Sequence, residues 1–206
     1  MNPPRTLLLT GFGLWGEESY NTSWEAVQDL QLDLPPGWTL RLEQLPVLWG
    51  EGAHQLRNLL NPSIGAAISF GMCGRDQIRP ERLAINLADR KRADADGACA
   101  PEDHLVTDGP AAYWTGFNYP ELVQALISAG LPTEESWDAG GFLCNEIFYT
   151  LMDGRARLGA NFPAGFVHLP HYEAEGGLPL TTLTAAAGVC VDHVLTLATA
   201  NDSSKP

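Results

Sequence analysis

Short runs of β-branched and aliphatic residues alternate along this chain with longer segments whose apolar residues recur every three or four positions. That alternation limits the fold more than any other feature. Strands that each return through a helix lie parallel, because only a long crossover can bring the chain back to the same end of a sheet. The expected class is α/β, a three-layer α/β/α sandwich around a twisted, mixed and mainly parallel sheet. Strands are predicted over Thr6 to Gly11, Thr39 to Val47, Ala66 to Phe70, Arg82 to Leu87 and Ala164 to His168. Helices are predicted over Trp24 to Leu30, Gly50 to Leu60, Pro120 to Ala129, Cys144 to Arg157 and Thr181 to Ala200.

With 206 residues and 45% hydrophobic content, the chain can bury one sizeable core but not comfortably two. A single domain is expected over 1–200, followed by a polar, flexible tail over 201–206. The formal net charge of -13 would repel nucleic-acid phosphates and anionic membranes, so neither is an expected partner and a small peptide is. After Met1 to Arg5, the apolar run that ends at Gly11 is too short for a signal-peptide core or a membrane span, which points to a cytoplasmic protein. The four cysteines, Cys73, Cys99, Cys144 and Cys190, form no CxxC pair and have no histidines at metal spacing. Neither a zinc site nor a disulfide framework is expected, and no cofactor.

Two passages rich in glycine, proline and aspartate, Lys91 to Pro110 and Tyr172 to Pro179, interrupt the alternation. Loops of that length in a compact domain either cover a site or stay mobile. In open α/β sheets ligands sit beyond the carboxyl ends of the strands, where Gly11-Phe12-Gly13, Gly71 and His168 would all fall. Gly11-Phe12-Gly13 does not make a phosphate site, because Gly16 leads into Glu17-Glu18 and no P-loop lysine follows. Its glycines serve close backbone approach and turning.

The segment Gly141-Phe142-Leu143-Cys144-Asn145-Glu146-Ile147 sets a cysteine between a glycine turn and a helix-period run. A helix start favours thiolate over thiol, so Cys144 is a candidate nucleophile. Cys190, in an apolar helical stretch, reads as a core residue, Cys73 as part of a turn, and Cys99 as incidental. A general base must be held within reach of the thiol, which favours the strand-terminal His168, with His171 as its rival, over His54, His104 and His193. A third, acidic group would orient the imidazole. Glu81, Asp138 and Glu146 are candidates, and spacing does not choose among them.

Five phrases occur in order: Thr10-Gly11-Phe12-Gly13, Asn21-Thr22-Ser23-Trp24-Glu25-Ala26, Pro80-Glu81-Arg82-Leu83-Ala84-Ile85-Asn86, Phe142-Leu143-Cys144-Asn145 and Phe166-Val167-His168-Leu169-Pro170. Together the chain resembles the pyroglutamyl peptidase I family, cytosolic cysteine exopeptidases that remove N-terminal pyroglutamyl residues, often as homo-oligomers. The resemblance implies Cys144 as nucleophile, His168 as general base and Glu81 as the carboxylate that orients it. Phe12, Trp15, Met72, Phe142 and Leu143 stand where the family lines its acyl pocket, and Asn21 matches an asparagine that contacts the lactam. Backbone N–H groups near Cys144 and in the Gly71 to Gly74 turn, with Arg75, are candidates for oxyanion stabilisation. A pyroglutamyl peptide is the implied substrate, and a homo-oligomer, dimer or tetramer, the implied assembly.

The chain departs from the family on binding elements. Gly11-Phe12-Gly13-Leu14-Trp15-Gly16 lacks a usual proline and carries a larger ring, Asn21-Thr22 replaces asparagine-proline, and the Gly71 to Arg75 turn is one residue shorter. Asp89-Arg90-Lys91-Arg92-Ala93-Asp94 replaces a run usually ending in arginine-isoleucine-proline-aspartate, in a loop that helps close over substrate. An amidase for another small or cyclic N-terminal group, or a binding protein on this scaffold, are the alternatives these departures raise. Tyr113, Trp114 and Phe117 are candidates for a subunit interface or for burial under their own loop.

Overall fold

Four strands form the parallel centre of the molecule: β1 (Arg5–Phe12), β2 (Trp38–Leu45), β3 (Ile64–Cys73) and β7 (Ala164–Pro170). The computed structural model describes residues 4–16, 18–74, 76–172 and 176–203. A short antiparallel edge strand, β4 (Arg79–Pro80), completes a five-stranded sheet in the order β2-β1-β3-β7-β4. β3 and β7 are buried along almost their whole length. Their side chains alternate between two cores, as strands covered on both faces must.

On one face Leu7, Leu9, Ile68, Phe70, Val167 and Leu169 meet α1 (Thr22–Gln28), α3 (Tyr119–Ser128) and α5 (Leu180–Ser203). On the other, Leu8, Ala67, Ala164 and Phe166 meet α2 (Glu51–Leu59) and α4 (Leu143–Arg157). These are the three layers expected from the alternation. α5 is long and apolar enough over Leu180–Ala200 to cross a membrane by composition alone. Here Leu183, Ala187, Cys190, Val191 and Val194 are spent against the sheet, and burial of that stripe accounts for the helix's composition. α5 also takes in Asn201, Asp202 and Ser203, which composition assigned to a tail, and 204–206 lie outside the described residues.

Two predicted elements change. The strand expected over Arg82 to Leu87 shrinks to β5 (Leu83–Ile85), which leaves the main sheet and pairs antiparallel with β6 (Ala112–Trp114). The cause is local: the Asn145 side chain on α4 accepts from Ile85 N–H and donates to the Ile85 and Leu87 carbonyls, so β5 is fastened across the helix. The sheet edge is instead taken by β4, where Pro80, which has no N–H to give, is tolerated. Second, β3 continues through Gly71, Met72 and Cys73, which the sequence suggested as a turn. β7 supplies partners for all three, and so carries the pairing to the edge of the functional cleft.

The turn after β1 is held by close backbone approach. A Cβ on Gly11 would lie 2.6 Å from the Ser23 carbonyl oxygen, so α1 crosses directly against the strand. Asn21 caps α1, its Oδ1 accepting from Ser23 N–H and its Nδ2 donating to the Gly13 carbonyl. The loop over Lys91 to Pro110 contains no helix or strand but is tied down by side chains. Asp94 accepts from the backbone N–H groups of Trp49, Asp96 and Ala98, and Asn86 exchanges hydrogen bonds with Val106.

Candidate active site

Parallel pairing of β3 with β7 sets Gly71 opposite His168, so their side-chain positions share one face near the carboxyl ends of the strands. Cys144, the second residue of α4, enters that face from the helical layer. A Cβ on Gly71 would lie 2.9 Å from Cys144 Sγ and 2.6 Å from Phe166 Cζ, so glycine is what leaves room for the sulfur beside the imidazole. Glu81 follows β4 and donates its N–H to the Phe166 carbonyl at 2.9 Å. That bond holds the carboxylate beside His168, whose Nδ1 is 2.7 Å from Glu81 Oε1. Glu81 is fully buried and His168 nearly so.

With Nδ1 turned to Glu81, Nε2 is left for Cys144. Burial works against a charged His168, but the Cys144 side chain, which hydrogen-bonds the ring, and the Glu81 carboxylate outweigh it and raise its pKa from 6.5 to about 10. The ring is held between a sulfur and a carboxylate, both of which favour its protonated form. Phe142, the N-cap of α4, makes no side-chain cap. The first-turn N–H groups of α4, including that of Cys144, have no carbonyl inside the helix and remain available to an oxyanion.

In front of this trio lies a cleft of about 550 Å³. Phe12, Trp15, Asn21, Met72, Phe142 and Leu143, the six residues expected to line an acyl pocket, all border it together with Cys144 and His168. Glu81 sits behind the histidine and does not reach the cleft. Trp15 and Phe142 meet at 5.9 Å between ring centres, and Trp49 meets Phe142 edge-on at 5.3 Å, so one wall is aromatic. The Asn21 amide is occupied in holding Gly13 and Ser23, which makes this residue a support of the wall as well as part of it.

The competing residues separate clearly. His171 borders the cleft but its ring nitrogen is bonded to Tyr20 Oη at 3.0 Å. Asp138 accepts from Gly140 N–H. Cys73 ends β3 and also borders the cleft, Cys99 is exposed, and Cys190 is in the core, where burial raises its pKa to about 12. Arg75 lies outside the described residues. Two further residues bear on how the site is built. Asn145 adjoins the cysteine in a phrase already singled out, and its position could have flagged it. Arg92 borders the cleft from the divergent loop expected to help close over substrate, and nothing in its spacing showed where it would point.

Glu146, the third acidic candidate, faces away from His168 and accepts from Gly50 N–H at 3.0 Å. Burial raises its pKa from 4.5 to about 7, opposed by the Gly50 hydrogen bond and Arg57 and reinforced by Asp94. An acid with a raised folded-state pKa binds its proton more tightly when folded. Its ionisation therefore costs stability as pH rises from 4.5 through about 7, and the cost is complete above that. Glu146→Gln, which keeps an acceptor for Gly50, is expected to stabilise the protein by about 1–3 kcal/mol at pH 8, with the gain shrinking toward pH 4.5. Urea unfolding at both pH values checks this, and a gain independent of pH would contradict it.

A sequence model described as pyroglutamyl peptidase matches residues 5–196. Pyrrolidone-carboxylate peptidase of Bacillus amyloliquefaciens is 35% identical over 194 residues, covering 92% of this chain and 87% of the relative. The protein of the same description from Bacillus subtilis (strain 168) is 36% identical over 171 residues, covering 81% and 79%. The crystal structure of Bacillus amyloliquefaciens pyroglutamyl peptidase I superimposes with a TM-score of 0.85 at 32% identity over 93% of this chain and 97% of that one. A mutant pyrrolidone carboxyl peptidase from Pyrococcus furiosus gives 0.86 at 25% identity over 93% and 99%.

Proposed function

This chain belongs to the pyroglutamyl peptidase family of cysteine-type hydrolases, and we propose that it cleaves the amide bond after an N-terminal pyroglutamyl residue with Cys144 as nucleophile, His168 as acid and base, and Glu81 as the positioning carboxylate. One observation carries the assignment of roles: the unbroken chain from Cys144 through His168 to Glu81 at the mouth of an aromatic-walled cleft.

With its proton passed to His168, the Cys144 sulfur attacks the acyl carbonyl. The carbonyl oxygen takes up negative charge and is met by first-turn N–H groups of α4. As the tetrahedral intermediate collapses, the C–N bond breaks and His168 gives its proton to the departing amine, leaving a thioester on Cys144. The now neutral His168 removes a proton from water, the water oxygen bonds to the acyl carbon, and the C–S bond breaks. Thiolate and imidazolium are thereby restored and pyroglutamate is released. Glu81 keeps Nδ1 protonated and Nε2 facing the sulfur throughout.

An uncharged lactam suits a wall made of Phe12, Trp15, Phe142 and Leu143. A free N-terminal ammonium would lose its hydration against those side chains. Four unpaired cysteines fit a reducing, cytoplasmic setting. Trp114 and Trp137, 66% and 63% exposed, offer apolar surface for self-association into a homo-oligomer. Phe117, by contrast, is buried. The test is release of a chromophoric amine from a pyroglutamyl amide, together with covalent labelling of Cys144 by a pyroglutamyl chloromethyl ketone. Turnover with labelling is expected, and a protein inert to both would exclude the assignment.

A further inference from the structure

Arg92 lies on the aromatic wall of the cleft, its guanidinium carbon 4.0 Å from the centre of the Phe142 ring and 5.1 Å from that of Trp15. The backbone beneath it is anchored, with Arg92 N–H donating to Asp89 and the Arg92 carbonyl accepting from Trp49 Nε1. Asp94, two residues on, is held by three backbone donors. The guanidinium is thus held over these rings by a tethered loop. Its N–H fork has no carboxylate or carbonyl partner among the described residues.

The other amide and cationic side chains around the cleft have internal partners. Asn21 donates to Gly13, Arg79 donates to Ser136 and pairs with Glu134, His168 lies between Cys144 and Glu81, and His171 bonds Tyr20. Arg92 therefore combines several N–H donors, without a partner among the described residues, with a position over the rings that wall the acyl pocket. A guanidinium held over an aromatic ring keeps its N–H groups for a carbonyl lying beside the same rings.

We propose that Arg92 is a specificity-determining residue of this cleft, donating to the ring carbonyl oxygen of the bound acyl group. The proposal rests on reading the cleft as an acyl pocket, and it deepens that reading. It also gives one of the three basic residues in the divergent Asp89 to Asp94 loop a task that an apolar residue could not perform. The pocket would then select its substrate by a charge-assisted hydrogen bond laid over an apolar wall, and not by shape alone.

Arg92→Met keeps the stem over Phe142 and removes the donors, while Arg92→Lys keeps charge without the planar fork. Each is compared with wild type on a pyroglutamyl amide and on the cyclopentanecarbonyl amide of the same amine, which lacks the ring carbonyl. The ratio of kcat/KM for the two substrates is expected to fall about tenfold or more in Arg92→Met, chiefly through KM, and less in Arg92→Lys. In parallel, binding of a pyroglutamyl peptide to Cys144→Ala is expected to weaken about tenfold or more when Arg92→Met is added. Equal losses on both substrates, an unchanged ratio, or improved turnover of both would overturn the proposal while leaving the peptidase reading intact. Absence of wild-type turnover with Arg92-dependent peptide binding would do the reverse. No binding to Cys144→Ala would end both.

Discussion

Cys144→Ala is expected to fold normally and to lose at least about ten-thousand-fold in turnover of a pyroglutamyl amide. The sulfur is half-buried and sits over Gly71, so its removal takes away one atom and no hydrogen bond that the backbone needs. The chemistry, in contrast, has no substitute. His168 has its carboxylate on one side and the sulfur on the other, and among the described residues no second nucleophile is bonded to the ring. Circular dichroism should match wild type while steady-state turnover collapses. The same variant should lower the pKa of His168 below about 10, because one of the groups that raise it has gone. Histidine NMR titration reads this directly. A variant that kept activity within tenfold of wild type would remove Cys144 from the mechanism.

Glu81→Gln carries the second large effect, an expected fall in kcat of about 10²- to 10⁴-fold. An amide can still bond Nδ1, but it supplies no charge to the imidazolium and does not dictate which nitrogen keeps its proton. With the carboxylate gone, burial acts on His168 with less opposition, and its pKa falls. The alkaline limb of the kcat/KM profile should therefore move to lower pH. Stability follows the same sign. In the wild type the folded-state pKa of His168 is raised from 6.5 to about 10, so its stabilisation is full below 6.5 and drains away as pH rises through about 10. Glu81→Gln should shrink that drop, measurable by urea unfolding at pH 6.5 and pH 10. Glu81 Oε2 has no hydrogen-bond partner among the described residues, so the carboxylate already bears a desolvation cost. A modest stability change with a large kcat loss is the expected pattern, and an unmoved alkaline limb would rule out this positioning role.

Both effects come from residues visible in the chain as typed letters, but visible to different degrees. Cys144 announced itself by local chemistry, since a glycine turn followed by a helix-period run places any cysteine at a helix start. His168 was readable because a strand ends there. Glu81 was not, since its value lies in the N–H bond to Phe166 and an edge strand of two residues, neither of which leaves a periodic signal. Only likeness to a family separated it from Asp138 and Glu146. The layers were legible for the same reason that the strands were, because helices and strands bury stripes of different period.

The sequence by itself determined the alternation of elements, the three-layer sandwich, the thiol at a helix start and the histidine at a strand end, because each of these is set by neighbours within about ten residues. Tertiary structure decided what depends on distant segments meeting. It sent β5 off the sheet onto Asn145 and extended β3 to put Cys73 at the cleft. It turned Glu146 toward Gly50 and laid Arg92 across Phe142 and Trp15. Those outcomes turn on hydrogen-bond partners and ring contacts between residues as far as 97 positions apart, and local pattern carries no record of such pairings.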